Sequence, residues 1–291
     1  MEIIRAAILQ LQPHKGPPAP NLQRLGEILG QLYRQAPRCD VVVLPEAALT
    51  GYFLQGGVQE LAISADRLAS ELEAVLRSHW PAPLDLVVGY FEADSGLVYN
   101  SSSYFSFDSQ AVSLLHTHRK IFLPTYGIFD EGRFVSHGGS VQAFETRLGR
   151  SAMLICEDAW HSVSATLAAL EGAELLYLPV ASPLRGLAGE EPSNITRWRQ
   201  ITASIAQEHS MFVISSNLVG VEAGKCFGGC SLAVHPDGHA LVEGPFLEEA
   251  ILLSDLDLTE LRELRYRNPL LGDLQRTWPI LATRVPGPNR A

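Results

Sequence analysis

Three side chains that together can do acyl chemistry stand at the ends of apolar runs far apart in this chain: an acid, Glu46, an amine, Lys120, and a thiol, Cys156. The thiol lies in S-A-M-L-I-C-E-D-A-W, residues 151–160, where an apolar run stops at Cys156 and two acids, Glu157 and Asp158, follow. A thiol fixed by a buried strand and carried in the turn beyond it suits a nucleophile, because such a turn exposes backbone N–H groups that can receive an oxyanion. The competing reading is a small buried hydrophobe, the commoner fate of a free cysteine. Glu46 follows V-V-V-L-P, residues 41–45. A carboxylate just past a continuous apolar run is costly to desolvate, which implies a purpose unless it is an exposed loop acid. Lys120 is one of only three lysines among 22 basic residues, with Lys15 and Lys225. In so arginine-rich a chain a lysine points to ammonium chemistry.

The elements that must position these groups follow from periodicity. Residues 3–11 read as a strand, and after a Pro-rich turn Asn21 is expected to cap a helix carrying Leu22, Leu25, Ile28, Leu29, Leu32 and Tyr33 on one face, ended by Pro37. The run at 41–44 is a strand covered on both sides, and 64–80 is an amphipathic helix. A strand at 84–92 precedes an antiparallel hairpin, 99–107 with 111–118, around Asp108-Ser109. That hairpin delivers Lys120 into an aromatic loop, I-F-L-P-T-Y-G-I-F-D-E-G-R-F, which places Glu131 eleven residues further on. Strands at 141–145, 151–155 and 175–180, with a helix at 162–171, lead to a long Pro-, Gly- and Ser-rich functional loop at 181–193. Asn194 is expected to cap a helix to His209, and 211–219 is a strand. Strands at 231–234 and 240–242 flank the turn H-P-D-G-H, a strand at 250–258 follows, and an amphipathic helix starts near Thr259. Strands and helices interleave throughout, and several strand pairs are hairpins. The expectation is an α/β layered sandwich with mixed sheets, one domain over 1–284, and a C-terminal tail at 285–291 that is disordered or partner-bound.

Composition narrows the function. A net charge of −10 argues against nucleic acid and anionic membranes as partners, and no apolar run approaches the length of a membrane span. The N-terminus lacks a basic start and a small-residue cleavage site, so a cytoplasmic location is expected, with Cys39, Cys156, Cys226 and Cys230 as free thiols. His116 and His118 share a strand face, but no Cys or carboxylate stands beside them at ligand spacing, and no metal site is assigned.

Taken in order, V-V-V-L-P-E-A-A-L-T-G-Y, H-R-K-I-F-L-P and L-I-C-E-D-A-W resemble the glutamate, lysine and cysteine segments of the nitrilase superfamily of carbon–nitrogen hydrolases. Asn217, Gly220, Phe227-Gly228-Gly229 and Ser231 are similar to its closing motifs, so the resemblance covers essentially the whole chain. L-P-T-Y-G-I-F-D-E-G-R-F and I-C-E-D-A-W are most similar to the glutaminase domain of glutamine-dependent NAD synthetases. Glu157-Asp158, where nitrilases proper carry Trp-Glu, favours an amide over a nitrile.

The resemblance implies a four-layer α-β-β-α sandwich, often paired into homodimers or higher homo-oligomers, and hydrolysis of a non-peptide amide through a cysteine thioester with release of ammonia or amine. It implies no metal or organic cofactor. Cys156 is then the nucleophile, Glu46 the base, and Lys120 with the Glu157 N–H the oxyanion donors. Glu131 positions Lys120 and substrate, while Tyr126 and Ser182 line the substrate pocket. Candidate substrates are small ω-amides and N-carbamoyl compounds. The chain ends at Ala291, where a synthetase domain would follow, so a glutaminase subunit feeding a separate NAD synthetase is the runner-up. The segment V-A-S-P-L-R-G at 180–186 keeps Ser182 and Pro183 but has Val180 and Leu184 where that group carries Asn and Tyr, and it lacks Gly-Lys. Arg197 or Arg199 is the candidate for a substrate carboxylate, against a plain helix-face role. An inactive scaffold subunit is the alternative from another class. A Cys–His hydrolase using His161 has the poorer geometry, because His161 is only five residues from Cys156.

Overall fold

The first strand, β1 (Ile3–Gln10), explains the layering: Ile4, Ala6 and Ile8 face one apolar cluster, while Ala7 and Leu9 face another. Alternation of this kind with both faces apolar means a strand covered on both sides. The computed structural model describes residues 3–186 and 192–284 of the chain, so the expected tail at 285–291 and the middle of the expected long loop lie outside the described residues.

Element order is β1, α1 (Pro18–Gln35), β2 (Val41–Val43), α2 (Val58–Leu61), α3 (Ala65–His79), β3 (Leu84–Asp94), β4 (Leu97–Phe107), β5 (Val112–Arg119), β6 (Ala143–Thr146), β7 (Gly149–Met153), α4 (Ser162–Leu170) and β8 (Leu175–Val180). There follow α5 (Ser193–His209), β9 (Phe212–Asn217), β10 (Val219–Glu222), β11 (Lys225–Gly228), β12 (Leu232–Val234), β13 (Ala240–Glu243), β14 (Ala250–Asp257), α6 (Leu258–Arg267) and α7 (Leu270–Ala282). One six-stranded sheet runs β14-β1-β2-β3-β4-β5 and the other β13-β12-β9-β8-β7-β6. Each has a parallel trio, β1-β2-β3 or β7-β8-β9, flanked by antiparallel strands. Ile4, Val43, Tyr104, Tyr177 and Phe212 meet between the sheets. On the outer faces, Leu22, Leu25, Leu29 and Leu32 of α1 and Leu68, Leu72 and Leu76 of α3 cover the first sheet, and Trp198, Ile201 and Ile205 of α5 help cover the second. The fold is a four-layer α-β-β-α sandwich of the nitrilase type. Each fully buried leucine on those stripes stabilises by about 1.5–3 kcal/mol, and Leu29→Ala would cost about 3 kcal/mol by leaving a cavity.

Several local expectations are corrected. Asn21 does not cap α1, which begins at Pro18; its side chain is turned to the loops, accepting from His14 N at 2.8 Å and donating to Leu49 O at 2.8 Å. Asn194 likewise sits inside α5 and not at its cap. The strand expected over 211–219 stops at Asn217, and residues 219–228 form a separate hairpin, β10 with β11. The last helix breaks into α6 and α7 at Asn268-Pro269, because a proline has no N–H and disfavours helix in the residue before it. Among the described residues no helix is long and apolar enough to cross a membrane.

Candidate active site

Four segments end at one place. Glu46 leaves β2, the middle strand of the first trio, and the chain there crosses Gly89 of β3 so closely that a Cβ at Gly89 would run into the Pro45 carbonyl. Lys120 leaves β5, its N–H bonded to Asn100 O at 2.8 Å. Glu131 begins a short 3-10 turn and is tied back to Pro124 O through its N–H at 3.0 Å, which closes the aromatic loop on itself. Cys156 follows β7, at the start of a second 3-10 turn.

The acid and the amine are in direct contact. Lys120 Nζ lies 2.7 Å from Glu46 Oε1 and 2.8 Å from Glu131 Oε2, with Glu46 and Lys120 fully buried and Glu131 nearly so. Asn100 Nδ2, from β4, donates to Glu46 Oε1 at 2.8 Å and also to Glu131 Oε1. Tyr52 Oη donates weakly to Glu131 at 3.4 Å, and the Tyr52 ring lies under the ammonium at 5.6 Å. The Ala181 N–H, just past β8, donates to Glu46 Oε2 at 2.6 Å, and the Ala181 carbonyl faces Cys156 Sγ at 3.9 Å. One residue of the second sheet thus touches the carboxylate with its N–H and the sulfur with its C=O.

Burial raises the pKa of Glu46, opposed by the Lys120 charge. Burial works against the Lys120 ammonium, but Glu131 and Glu46 outweigh it and hold its pKa well above the ordinary lysine range. Burial, reinforced by the Glu46 charge, pushes the Cys156 thiol well above its usual value. The thiol and the carboxyl group thus both have a raised proton affinity, a match that favours transfer between them. Glu46 Oε1 already accepts two hydrogen bonds and Oε2 only one, from the residue whose carbonyl faces the sulfur, so Oε2 has the capacity for a proton.

Cys156 has φ 44°, the left-handed region that costs a non-glycine residue about 1–3 kcal/mol. Asp158 holds that turn. Its buried carboxylate accepts from Ile155 N at 3.1 Å, Ile121 N at 3.0 Å, Phe122 N at 2.9 Å and His118 Nε2 at 2.8 Å. Burial raises the Asp158 pKa, but His118 and the N–H donors more than reverse it and hold it below the ordinary aspartate range. The same contacts bind the cysteine turn to the segment that carries Lys120. Glu157 N–H lies at the beginning of the turn, where a helical segment leaves its first donors without internal acceptors.

The remaining candidates separate. Tyr126 is 46% exposed and its hydroxyl lies 3.0 Å from the Glu157 carboxylate, at the rim. Ser182 Oγ accepts from Asn194 Nδ2 at 3.1 Å, and Asn194 also receives the Arg185 N–H at 3.0 Å, so Asn194 pins the loop after β8. Arg199 is ion-paired with Glu243 at 2.6 Å and Arg197 lies over the Trp160 ring at 5.7 Å; Arg185, whose guanidinium lies 5.4 Å from the Phe129 ring and 6.0 Å from that of Tyr126, is nearer the rim than the position singled out for a helix-borne arginine. His161 is exposed and stacks on the half-buried Phe122 ring at 3.7 Å, and is no base for the thiol. His116 stacks on Phe144 at 4.5 Å, its pKa lowered to about 4 by burial and by His118, while His118 serves Asp158. Asn100, Asp158, His118 and Ala181 were not assigned roles from sequence; the polar run N-S-S-S inside a strand is the signal that could have pointed to Asn100.

Comparison with known proteins gives the chain its family. The chain is 30% identical over 255 residues to a glutamine-dependent NAD(+) synthetase of Rhodobacter capsulatus, covering 87% of this chain but 43% of that protein. It therefore spans under half the length of the synthetases it matches. It is 27% identical to the 2-oxoglutaramate amidase of Bacillus subtilis over 92% of this chain and 96% of that one. The crystal structure of a carbon-nitrogen hydrolase from Helicobacter pylori G27 superposes with a TM-score of 0.80 at 26% identity, covering 93% and 95% of the two chains. The family description "Carbon-nitrogen hydrolase" matches residues 5–266, and the chain belongs to that family.

Proposed function

We propose that Cys156, Glu46, Lys120 and Glu131 hydrolyse the C–N bond of a small ω-amide. The observation that carries this reading is the shared Ala181 contact, N–H on Glu46 and C=O on Cys156, beside the buried Glu46–Lys120–Glu131 cluster. Glu46 Oε2 takes the thiol proton as sulfur bonds to the amide carbon. The carbonyl oxygen becomes an oxyanion, received by Lys120 Nζ and the Glu157 N–H; each such donor is worth about 3–4 kcal/mol in the transition state. The C–N bond then breaks, Glu46 returns its proton to the departing nitrogen, and ammonia or amine leaves a thioester on Cys156. Water attacks the thioester as Glu46 takes one of its protons. The C–S bond breaks, the carboxylic acid leaves, and the proton returns to sulfur. Glu131 keeps Lys120 charged and oriented throughout, and Asn100 spaces the two carboxylates. Tyr126 and Ser182 stand at the rim of the substrate site, and no step calls for a metal or organic cofactor.

Residues 1–284 act as one catalytic unit in this reading, in the cytoplasm, where the four thiols stay reduced. The homo-oligomer implied by the resemblance finds a surface in Tyr266, Ile280 and Leu281, apolar side chains exposed on α6 and α7. Full-length similarity to the Bacillus amidase favours a self-sufficient amidase over a subunit serving a separate NAD synthetase. Ammonia release from a panel of ω-amides, simple amides and N-carbamoyl compounds, with and without a synthetase, tests the reading. Rapid quench of wild type during turnover should show an acyl adduct on Cys156 by mass spectrometry. Cys156→Ala should lose about 10⁴-fold or more in kcat with an unchanged circular dichroism spectrum; retained turnover would remove the mechanism.

A further inference from the structure

Lys225 is one of the two lysines, with Lys15, that the catalytic reading leaves unused. It lies on β11, in the hairpin that closes over Tyr52 and Phe53. At the other end of that turn Glu222 accepts from Tyr52 N at 2.8 Å and Phe53 N at 3.1 Å, while Lys225 Nζ sits 4.6 Å from the Phe53 ring centre. The Tyr52 and Phe53 rings are packed edge to face at 4.9 Å, with Lys120 Nζ 5.6 Å from the Tyr52 ring centre. Two ammonium groups therefore bracket one aromatic pair, the catalytic one within and Lys225 towards the outside.

Both rings, Glu131 and Lys225 line the same cavity, of about 480 Å³, with Phe129 and Phe134 in its wall. Lys120 is neutralised by two carboxylates, but Lys225 is not: its one hydrogen bond is to Ala223 O at 3.4 Å, and among the described residues no carboxylate pairs with it. The other cation of the cavity, Arg133, is exposed and faces Asp130 at 3.6 Å. A half-buried ammonium without an anion, in an aromatic-walled cavity whose lining includes Glu131, the residue that bonds Lys120, is a ready site for an anionic end of a bound molecule.

We infer that Lys225 is a specificity-determining residue that binds a carboxylate at the far end of the substrate acyl chain, so that the enzyme selects amides that are also acids. The inference rests on the amidase reading and adds the residue that chooses among amides. In this inference the methylene chain lies along the aromatic walls, the amide passes Glu131 to reach Cys156, and the carboxylate stops at Lys225. Arg185 lies against Tyr126 and Trp160 and does not line the cavity.

The test compares glutaramate, its neutral counterpart pentanamide and the cationic 5-aminopentanamide. Wild type should prefer glutaramate. In Lys225→Met the ratio of kcat/KM for glutaramate to that for pentanamide should fall about 10- to 100-fold, the worth of one charge-assisted hydrogen bond, through KM rather than kcat. Lys225→Arg should keep part of the preference, and Lys225→Glu should shift it towards 5-aminopentanamide. An unchanged ratio in Lys225→Met, or a ratio that collapses only in Arg185→Gln, overturns the assignment. Calorimetric binding of glutaramate and pentanamide to Cys156→Ala, with and without Lys225→Met, reads the same preference without turnover. Absence of turnover with intact Lys225-dependent binding would therefore fault the amidase reading alone, and turnover without Lys225-dependent selection would fault this inference alone.

Discussion

Glu46, Lys120 and Glu131 are fixed to one another through side-chain hydrogen bonds, whereas Cys156 is fixed through its backbone, by a left-handed φ and by the Asp158 carboxylate that gathers the N–H groups around it. The first arrangement is electrostatic and holds a charge; the second is steric and holds a direction. The difference follows from the groups themselves. An ammonium taken out of water must be compensated by anions, so its neighbours are chosen by charge. A thiol needs no compensation while protonated, and can be aimed by the chain alone. The two halves should therefore fail differently when one member is removed.

On the charged side the largest effect is expected from Lys120→Met. It leaves Glu46 and Glu131 buried together without their cation, and breaking such a cluster costs about 3–5 kcal/mol of stability. Activity should fall about 10³-fold as well, since one oxyanion donor and the charge that orients Glu46 are both lost. Denaturant melts and ammonia release measure the two separately. Adding Glu46→Gln should recover part of the stability and none of the activity. Lys120→Arg should be nearly inactive, because a planar guanidinium does not replace a point-like ammonium between two carboxylates; an active Lys120→Arg enzyme would show that the charge matters and its shape does not.

On the sulfur side the corresponding change is Asp158→Asn. The amide keeps one acceptor oxygen for donors that now divide over two, and the expected loss is about 3 kcal/mol at neutral pH with kcat reduced more than KM is raised. The folded Asp158 pKa lies below its unfolded value of about 3.9, so its contribution is present above that value and disappears as pH falls through the folded pKa. Urea melts at descending pH should bring wild type and Asp158→Asn together. A difference that stays constant with pH would mean that Asp158 acts by shape and not by charge.

The strand ends beside the proposed reacting groups were legible in the sequence because a buried strand must be apolar throughout and the first residue that breaks the run is conspicuous: Glu46 after V-V-V-L-P and Cys156 after A-M-L-I are of this kind. The residues that hold those groups were not legible. Asn100 and His118 lie inside strands, and only the pairing of β4 with its neighbours turns them towards Glu46 and Asp158. Asn21 and Asn194 have the composition of helix caps, yet each lies within the first turn of its helix and uses its amide to tie down a loop. Local propensity cannot distinguish the two uses, since both satisfy the same donors and acceptors and differ only in what the rest of the fold brings near. The Ala181 N–H was invisible for a plainer reason: a backbone donor has no residue type.

A smaller effect joins the two halves. Asn100 donates to Glu46 and so favours its charged form. The base must be ionised to take the thiol proton, so kcat/KM is lost as pH falls through the raised pKa of Glu46, above the ordinary glutamate range. Removing the donor in Asn100→Ala raises that pKa further, and the acid limb should move to higher pH. A limb that stays put, measured with a substrate that does not itself titrate, would detach Glu46 from the proton transfer.

The least effect is expected at the rim. Tyr126 bonds the Glu157 carboxylate, not the N–H proposed for the oxyanion, and does so where the ring is 46% exposed. Water replaces the lost hydroxyl in Tyr126→Phe, so the cost is that of an exposed hydrogen bond, about 0.5–1 kcal/mol, or a few-fold in kcat/KM carried by KM. A drop in kcat as large as that of Asp158→Asn would mean that the Glu157 side chain steers the turn after Cys156 from outside. The sulfur would then be aimed by a side-chain contact as well as by its own backbone, and the contrast between the two halves of the site would weaken.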